Sequence, residues 1–345
     1  MKTTSANLLI HLVIGLCIQS CAKNPTNPSG SDPSNPQILY FAETVDPEPR
    51  KSFVLVDANQ STRKVVFSVT NGSIWSPSFS PDGNKILFAR SEDNEGALYT
   101  IDVDGKNLQR VSGITTDGHF PFGRPQFMRN GVEILYMKRI TSEEYELRIL
   151  NSEDQQDRFV AKGDFYFIAP EITDDGQWII VWDNGSLYRL NSENGDRYVV
   201  ASNSVFGNPF HLSKKSNEIV FRSYDPSNPA DSWIGKVNLD GSGYQKFSFS
   251  GQLPRMSEDA SHILYVAMHK NRPSIWIANA DGSEPRVVTS NWTWDMYVQF
   301  FPASDRILFI RRENDHALFS CDLQGGNQRQ LTPFDCNLEF PRFRP

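Results

Sequence analysis

The sequence predicts an all-β chain: one closed ring of seven four-stranded antiparallel units, in which the last strand returns to complete the first. Three observations carry this. An apolar strand recurs at steps of 40 to 48 residues, Asp-Gly and Asn-Gly turns recur at fixed places beside it, and the two ends of the repeat are complementary fragments of one unit. A chain of 345 residues fits either two average domains or one large β domain, so the search for internal periods decides the count.

The recurring strand begins at Ile38, Ile86, Ile134, Ile179, Ile219, Ile263 and Ile307, and from Ile86 onward the steps are 48, 45, 40, 44 and 44 residues. Ahead of it stands a short strand with a proline in its middle, at Pro77, Pro125, Pro170, Pro209, Pro254 and Pro341, with Val298 as the exception. Proline cannot donate to a ladder, so this column marks an edge strand. Turns such as Asp82-Gly83, Asn130-Gly131 and Asp175-Gly176 join the two. The third strand alternates, as in Leu98-Tyr99-Thr100-Ile101-Asp102, and ends in a turn at Asp104-Gly105, Asn194-Gly195, Asp240-Gly241, Asp281-Gly282 or Gly325-Gly326. A more polar fourth strand follows. Residues that tolerate positive φ between alternating runs signal tight hairpins, and helical periodicity is absent throughout. The first unit, starting at Ile38, lacks the strand with the proline, whereas Leu338 to Pro345 supplies one with nothing after it. Joining them removes two unpaired edges. Four antiparallel strands repeated in this way are the pattern of a β-propeller blade, so residues 37–345 are read as a single seven-bladed propeller closed by the C-terminal strand.

Ahead of the repeat, Lys2 precedes an apolar stretch from Leu8 to Ile18, followed by Gln19, Ser20 and Cys21. The stretch is too short to span a bilayer and has the layout of a secretory signal peptide. Small Ser20 before Cys21 resembles the lipobox of bacterial lipoproteins, which implies a signal peptide over 1–20, lipidation of Cys21 and anchoring to a membrane. Residues 21–36 carry Pro25, Pro28, Pro33 and Pro36 among Asn, Ser, Thr and Gly and read as an extended tether. The expected address is export to the bacterial cell envelope, in the periplasm or at the cell surface.

Hydrophobic residues make up 39% of the chain, enough for a sizeable core. The net charge is −7, and no basic run is present, so a nucleic-acid partner is not expected.

The Ser80-Pro81-Asp82-Gly83 turn followed by Asn84-Lys85-Ile86-Leu87-Phe88, and the run Leu98-Tyr99-Thr100-Ile101-Asp102-Val103-Asp104-Gly105, resemble the TolB-type, WD40-like propeller repeat of bacterial envelope proteins. The resemblance covers residues 38–345 in fold, with the full motif only at 75–114. TolB itself carries an α/β domain ahead of a six-bladed propeller. A tether stands in that place here, so the resemblance is to the repeat family and not to TolB itself.

Motifs for catalysis are missing: there is no Gly-x-Ser-x-Gly elbow, no His-Glu-x-x-His helix and no phosphate-binding glycine loop. The run Asp102-Val103-Asp104-Gly105-Lys106-Asn107 is read as a hairpin turn, because Gly113 stands where a calcium loop needs a bidentate Glu. His119, His211, His262, His269 and His316 are dispersed around the ring, so no metal or other cofactor is expected. Cys321 and Cys336 are both read as near the core, and an exported setting permits a disulfide between them.

Binding is the stronger reading. One residue after the proline column stand Ser78, Gln126, Glu171, Phe210, Arg255, Gln299 and Arg342; side chains alternate by face, so Gln126, Glu171, Arg255, Gln299 and Arg342 are candidates to line the channel. Segments leading into these strands hold Trp75, Phe120, Tyr166, Trp292, Trp294 and Tyr297, candidates for an aromatic mouth that stacks on sugar rings or grips apolar peptide side chains. The function read from the sequence is a noncatalytic binding or scaffold module for an envelope protein or glycan. The alternative is a carbohydrate-active enzyme resembling the polysaccharide or oligogalacturonate lyases, with its site in the channel.

Replacing the anchoring residue tests the address. Cys21→Ser is expected to move the protein from the membrane to the soluble fraction and to abolish incorporation of a lipid label; unchanged fractionation would refute the anchor.

Overall fold

The computed structural model describes residues 36–44, 49–59, 61–93, 95–113, 125–141, 144–165, 169–202, 205–225, 227–289 and 294–345. The signal peptide, Cys21 and all of the tether but Pro36 lie outside them. The described strands form seven four-stranded antiparallel sheets, the blades of one propeller. Their innermost strands, for blades 1 to 7, are Asn337–Phe343, Ser73–Phe79, Gln126–Phe127, Glu171–Ile172, Val205–Ser213, Gln252–Met256 and Trp294–Phe300. Each lies at one edge of its sheet, where the proline column placed it.

Every second strand is apolar on both faces because each face meets a different neighbour. In blade 1, Ile38 and Tyr40 pack with Leu308, Ile310 and Leu318 of blade 7, while Leu39 and Phe41 pack with Ile74, Ile86 and Phe88 of blade 2. The same division repeats around the ring, giving seven hydrophobic clusters, each in a seam between consecutive blades. An uninterrupted run such as Ile86-Leu87-Phe88-Ala89 is fully buried for this reason.

The proline column marks a bulge as well as an edge. Pairing of the innermost strand slips between Trp75 and Ser78, between Gln252 and Arg255, and between Met296 and Gln299. The first residue of each bulged pair is left-handed, with φ of 53° at Ser76, 54° at Leu253 and 52° at Tyr297. Proline suits the next position because its missing N–H falls where the ladder is already broken. Blade 7 makes the same bulge with Val298, so the bulge belongs to the fold and proline only favours it.

The turn motifs serve the seams too. Ser80 Oγ donates to Asp82 Oδ1 at 2.5 Å and accepts from the Lys85 N–H at 2.9 Å, which closes the turn between first and second strands. Thr173 with Asp175 and Ser257 with Asp259 repeat the device. Asp102 accepts from Asn107 and Asp104 from the Lys106 N–H, so both carboxylates are engaged within a hairpin turn. At the turns leaving the third strands, glycine answers a close approach as well as a positive φ. A Cβ on Gly195 would stand 2.2 Å from the Val160 carbonyl oxygen of the preceding blade, and one on Gly325 would stand 2.0 Å from that of Val288.

Closure is made by the C-terminal strand, which pairs antiparallel with Gln37–Thr44, Leu338 opposite Ala42 and Phe343 opposite Ile38. Leu338 is fully buried in the seam between blades 7 and 1, and its backbone is held by His316 Nδ1. Arg344 is buried and donates through Nε to the Gly83 carbonyl at 2.8 Å and through Nη1 to Gln37 Oε1 at 2.8 Å, tying the end of the chain to blades 1 and 2. Cys321 and Cys336 are free, buried thiols in different seams. Cys336 pairs with His316 at one end of the strand His316–Asp322, and Cys321 lies five residues along it, about 16 Å away at strand rise, which is beyond disulfide reach.

Deleting Leu338 to Pro345 is expected to lower or abolish the cooperative thermal transition, because it opens the edge of blade 1 and uncovers the faces that flank it. A truncated protein that melts like the full chain would refute closure by this strand.

Candidate functional site

The polar column read from the sequence forms a set of bridges between consecutive innermost strands. Ser78 Oγ donates to the Pro125 carbonyl at 2.7 Å, Gln126 Nε2 donates to the Pro170 carbonyl, and Gln299 Nε2 donates to the Pro341 carbonyl at 3.1 Å. Each of these three bridges thus ends on the carbonyl of a column proline in the next blade. Glu171 reaches the same neighbour by accepting the Leu212 N–H at 2.7 Å.

Blade 5 breaks the series, because Phe210 occupies its polar position and is buried in the seam with blade 4. Two neighbours compensate. Arg255 of blade 6 reaches back to donate to the Phe210 carbonyl at 3.2 Å, and His211 Nδ1 accepts the Met256 N–H at 3.3 Å. Arg255 also faces Glu171 across the width of blade 5 at 3.9 Å, an ion pair too long for a hydrogen bond.

Electrostatics follow from this crowding. Burial among the innermost strands raises the Glu171 carboxyl above the usual carboxylate range, and the Arg255 charge and the Leu212 N–H offset only part of that. Its side chain is still 23% exposed. Burial, followed by the charge of Arg255, holds His211 well below the ordinary imidazole range, so it is neutral with Nδ1 as acceptor.

A recess opens beside these groups where blades 6, 7 and 1 meet. It is small, with about 30 Å³ accessible to the centre of a water molecule, and lies between Leu253, Arg255, Tyr297, Val298, Gln299, Pro341 and Arg342. Four sequence candidates meet here: Arg255, Gln299 and Arg342 from the channel set and Tyr297 from the aromatic set. Gln126 and Glu171 are not among its lining residues, nor is Trp75, which packs in the seam between blades 2 and 3. Phe120, Tyr166 and Trp292 lie outside the described residues, and of Trp294 only the strand position is described. Three lining residues, Leu253, Val298 and Pro341, were not read from the sequence. Their signal is the bulge itself, since Leu253 precedes a column proline and Val298 and Pro341 occupy the column. Among the described residues no group of three or more His, Cys, Asp or Glu side chains is placed to hold a metal ion.

These features define a seven-bladed β-propeller whose innermost strands are bridged by polar side chains. Among solved structures the chain is similar to TolB from Acinetobacter baumannii, at 16% identity over 90% of this chain and 67% of that one, with a TM-score of 0.58. It is likewise similar to the β-propeller domain of the Trilobed protease from Pyrococcus furiosus, at 13% identity over 87% and 93% of the two chains and a TM-score of 0.63. Oligogalacturonate lyase from Vibrio parahaemolyticus gives 13%, 83%, 86% and 0.65 for the same quantities. At these identities the likeness is one of fold, and it supports the TolB-type propeller read from the repeats. No family model matches the chain, and no curated protein matches it.

Glu171 gives this site a pH signature. With its carboxyl raised, the native state holds the proton more tightly than the unfolded chain, so this contribution is full below the unfolded value of about 4.3 and is lost as pH rises through the folded value. Glu171→Gln keeps an acceptor for the Leu212 N–H and removes the charge. The melting temperature of the variant relative to wild type is expected to rise between about pH 4 and about pH 8; a relative fall would mean that the Arg255 pair outweighs burial.

Proposed function

We propose that the protein is an exported, lipid-anchored propeller of the bacterial cell envelope that acts as a noncatalytic binding module, with its ligand held where the channel meets the mouth between blades 6, 7 and 1. The observation that carries this reading is the recess, because it joins two arginines and an amide to a tyrosine in an open cleft while the other bridging side chains are engaged in holding blades together. A cleft of apolar wall with a few convergent polar groups is the usual form of a ligand site. Envelope location is supported by the Cys21 segment and by the resemblance of the repeats to TolB-type propellers. The lyase-like alternative calls for histidines converging on the channel; His211 has its Nδ1 engaged by the Met256 N–H, and His119 lies outside the described residues.

Presenting the purified protein with solubilised envelope proteins and with a glycan array tests the proposal. Capture without turnover is expected, and unsaturated sugar products from an acidic polysaccharide would instead establish the lyase. Tyr297→Asn is the informative variant, since asparagine tolerates the left-handed backbone at this position. It is expected to lose roughly thirtyfold in affinity for the captured ligand, on the order of 2 kcal/mol, as is Trp294→Ala, measured on the folded fraction of each variant. Undiminished affinity in both variants would move the site elsewhere.

A further inference from the structure

We infer that the outer rim of the seam between blades 4 and 5 is a second binding site, separate from the recess, which stacks an uncharged sugar on Tyr198 and engages its hydroxyls with Arg189 and Asp240. Three departures from the repeat fall in blade 4 and converge there.

Strand register aligns the blades position by position. Where blade 4 has Trp178, the others carry Gln37, Lys85, Glu133, Glu218, His262 and Arg306. Where it has Tyr198, they carry Lys64, Gln109, Arg158, Gln245, Arg286 and Arg329. Between these two columns Arg189 stands opposite Tyr198, at the place where other blades bury Leu55, Thr100, Ile149, Ile277 and Ser320 or, in blade 5, pair Lys236 with Glu218 at 2.9 Å. In blade 4 alone two polar positions are aromatic, and the position between them is a cation with no acid paired to it.

The three side chains form one cluster. The Arg189 guanidinium carbon lies 4.5 Å from the centre of the Trp178 ring and 5.4 Å from that of Tyr198, and the two rings meet edge to face at 5.6 Å and 81°. Attraction to the rings holds the cation without using its N–H donors. Arg189 makes no hydrogen bond or ion pair among the described residues, and its Nε is buried without a partner. A guanidinium has five donors, and withdrawing one from water with no acceptor in return is costly. The side chain is therefore a donor held ready and left unsatisfied.

Elsewhere the outer-strand column ties blades together. Lys64 donates to the Val103 carbonyl, Arg158 to that of Ser192 and Gln245 to that of Asp281, each in the next blade. Tyr198 makes no such bond among the described residues, and it is 45% exposed. An exposed aromatic ring offers a face to the apolar side of a pyranose. The turn of blade 5 lies alongside, since a Cβ on Gly241 would stand 3.2 Å from the Val199 carbonyl oxygen. This turn carries Asp240, whose carboxyl is held below its usual range by hydrogen bonds from Ser242 and by the charge of Arg189. Both Ser242 bonds fall on Oδ1, so the carboxylate keeps acceptor capacity. One cation and one carboxylate cancel, which favours a neutral ligand over an acidic one. Sugar hydroxyls donate and accept at once and suit this donor and acceptor beside a ring, whereas an apolar peptide side chain would cover both groups and satisfy neither.

Calorimetric titration of the full chain tests the site, with neutral hexaoses of glucose, galactose and mannose as probes and the hexaose of galacturonate as the acidic counterpart. Saturable binding of at least one neutral hexaose is expected, with the galacturonate hexaose about tenfold weaker or absent. Tyr198→Gln places in blade 4 the residue that blades 2 and 5 carry at this position. It is expected to weaken the neutral hexaose about tenfold, as is Arg189→Gln, whereas Tyr198→Phe keeps the ring and stays within about threefold, each measured on the folded fraction. Phe159→Gln removes an aromatic ring that is 52% exposed in blade 3 and is expected to leave binding unchanged. No binding of any neutral hexaose, tighter binding of galacturonate, undiminished binding in both Tyr198→Gln and Arg189→Gln, or an equal loss in Phe159→Gln would each overturn the proposal.

Discussion

The constraint on which the molecule depends is that no blade has a core of its own. Each second strand carries apolar side chains on both faces, and a four-stranded sheet covers neither; only the neighbours on either side do. A fully buried Leu, Ile or Phe contributes roughly 1.5–3 kcal/mol by leaving water, so an open seam with its cluster exposed is a loss no single hydrogen bond restores. The ring must therefore close, and it closes with chain from both ends: Gln37–Thr44 and Asn337–Phe343 share one sheet, with Arg344 reaching on to the turn of blade 2. Closure also removes the two sheet edges that would otherwise stand ready to pair with another chain.

Seams set the polar architecture as well. Innermost strands meet near the axis of the ring, where the column-proline carbonyls need partners, and a buried carbonyl without a partner is costly. Ser78, Gln126 and Gln299 supply the partners. A polar column that reads in sequence as a channel lining thus has a structural reason to be polar at most positions. Where Phe210 interrupts it, Arg255 and His211 bridge the same seam by other routes, and a cation replaces a neutral amide. With Glu171 of blade 4 facing Arg255 at 3.9 Å, the innermost strands of blades 4 to 6 thus carry a pair of opposite charges.

Much of the fold was legible because its devices are periodic. The isoleucine-led strands, the proline column and the turn glycines recur at blade spacing, and the complementary ends fix the closure. What the sequence does not display is why two of these signals recur. Asp-Gly and Asn-Gly turns read as hairpin chemistry, yet Gly195 and Gly325 also lie against the carbonyls of Val160 and Val288 in the preceding blade. Proline reads as an edge marker, yet its column coincides with a bulge and a left-handed residue. The site was legible in its charged and amide members, which stand out against an apolar column. Leu253, Val298 and Pro341 were not, since an apolar residue beside a strand of a propeller gives no sign in sequence of whether it faces a seam or a cleft.

The bulges bear on where a cleft can form. Leu253 and Tyr297 both line the recess, and both hold a left-handed backbone that costs a non-glycine residue roughly 1–2 kcal/mol. Blade 2 has the same bulge with small Ser76, which is buried. A large side chain at the bulged position, carried out of the regular alternation of the strand, cannot be accommodated so readily between tightly bridged strands. In blades 6 and 7 two such residues follow one another around the ring, and both line the recess. At the turns beyond those strands the Glu258 N–H donates to Ser304 Oγ at 3.1 Å and ties the two blades together. The recess thus lies where two large bulged residues stand in successive blades, beside Arg255 and Gln299.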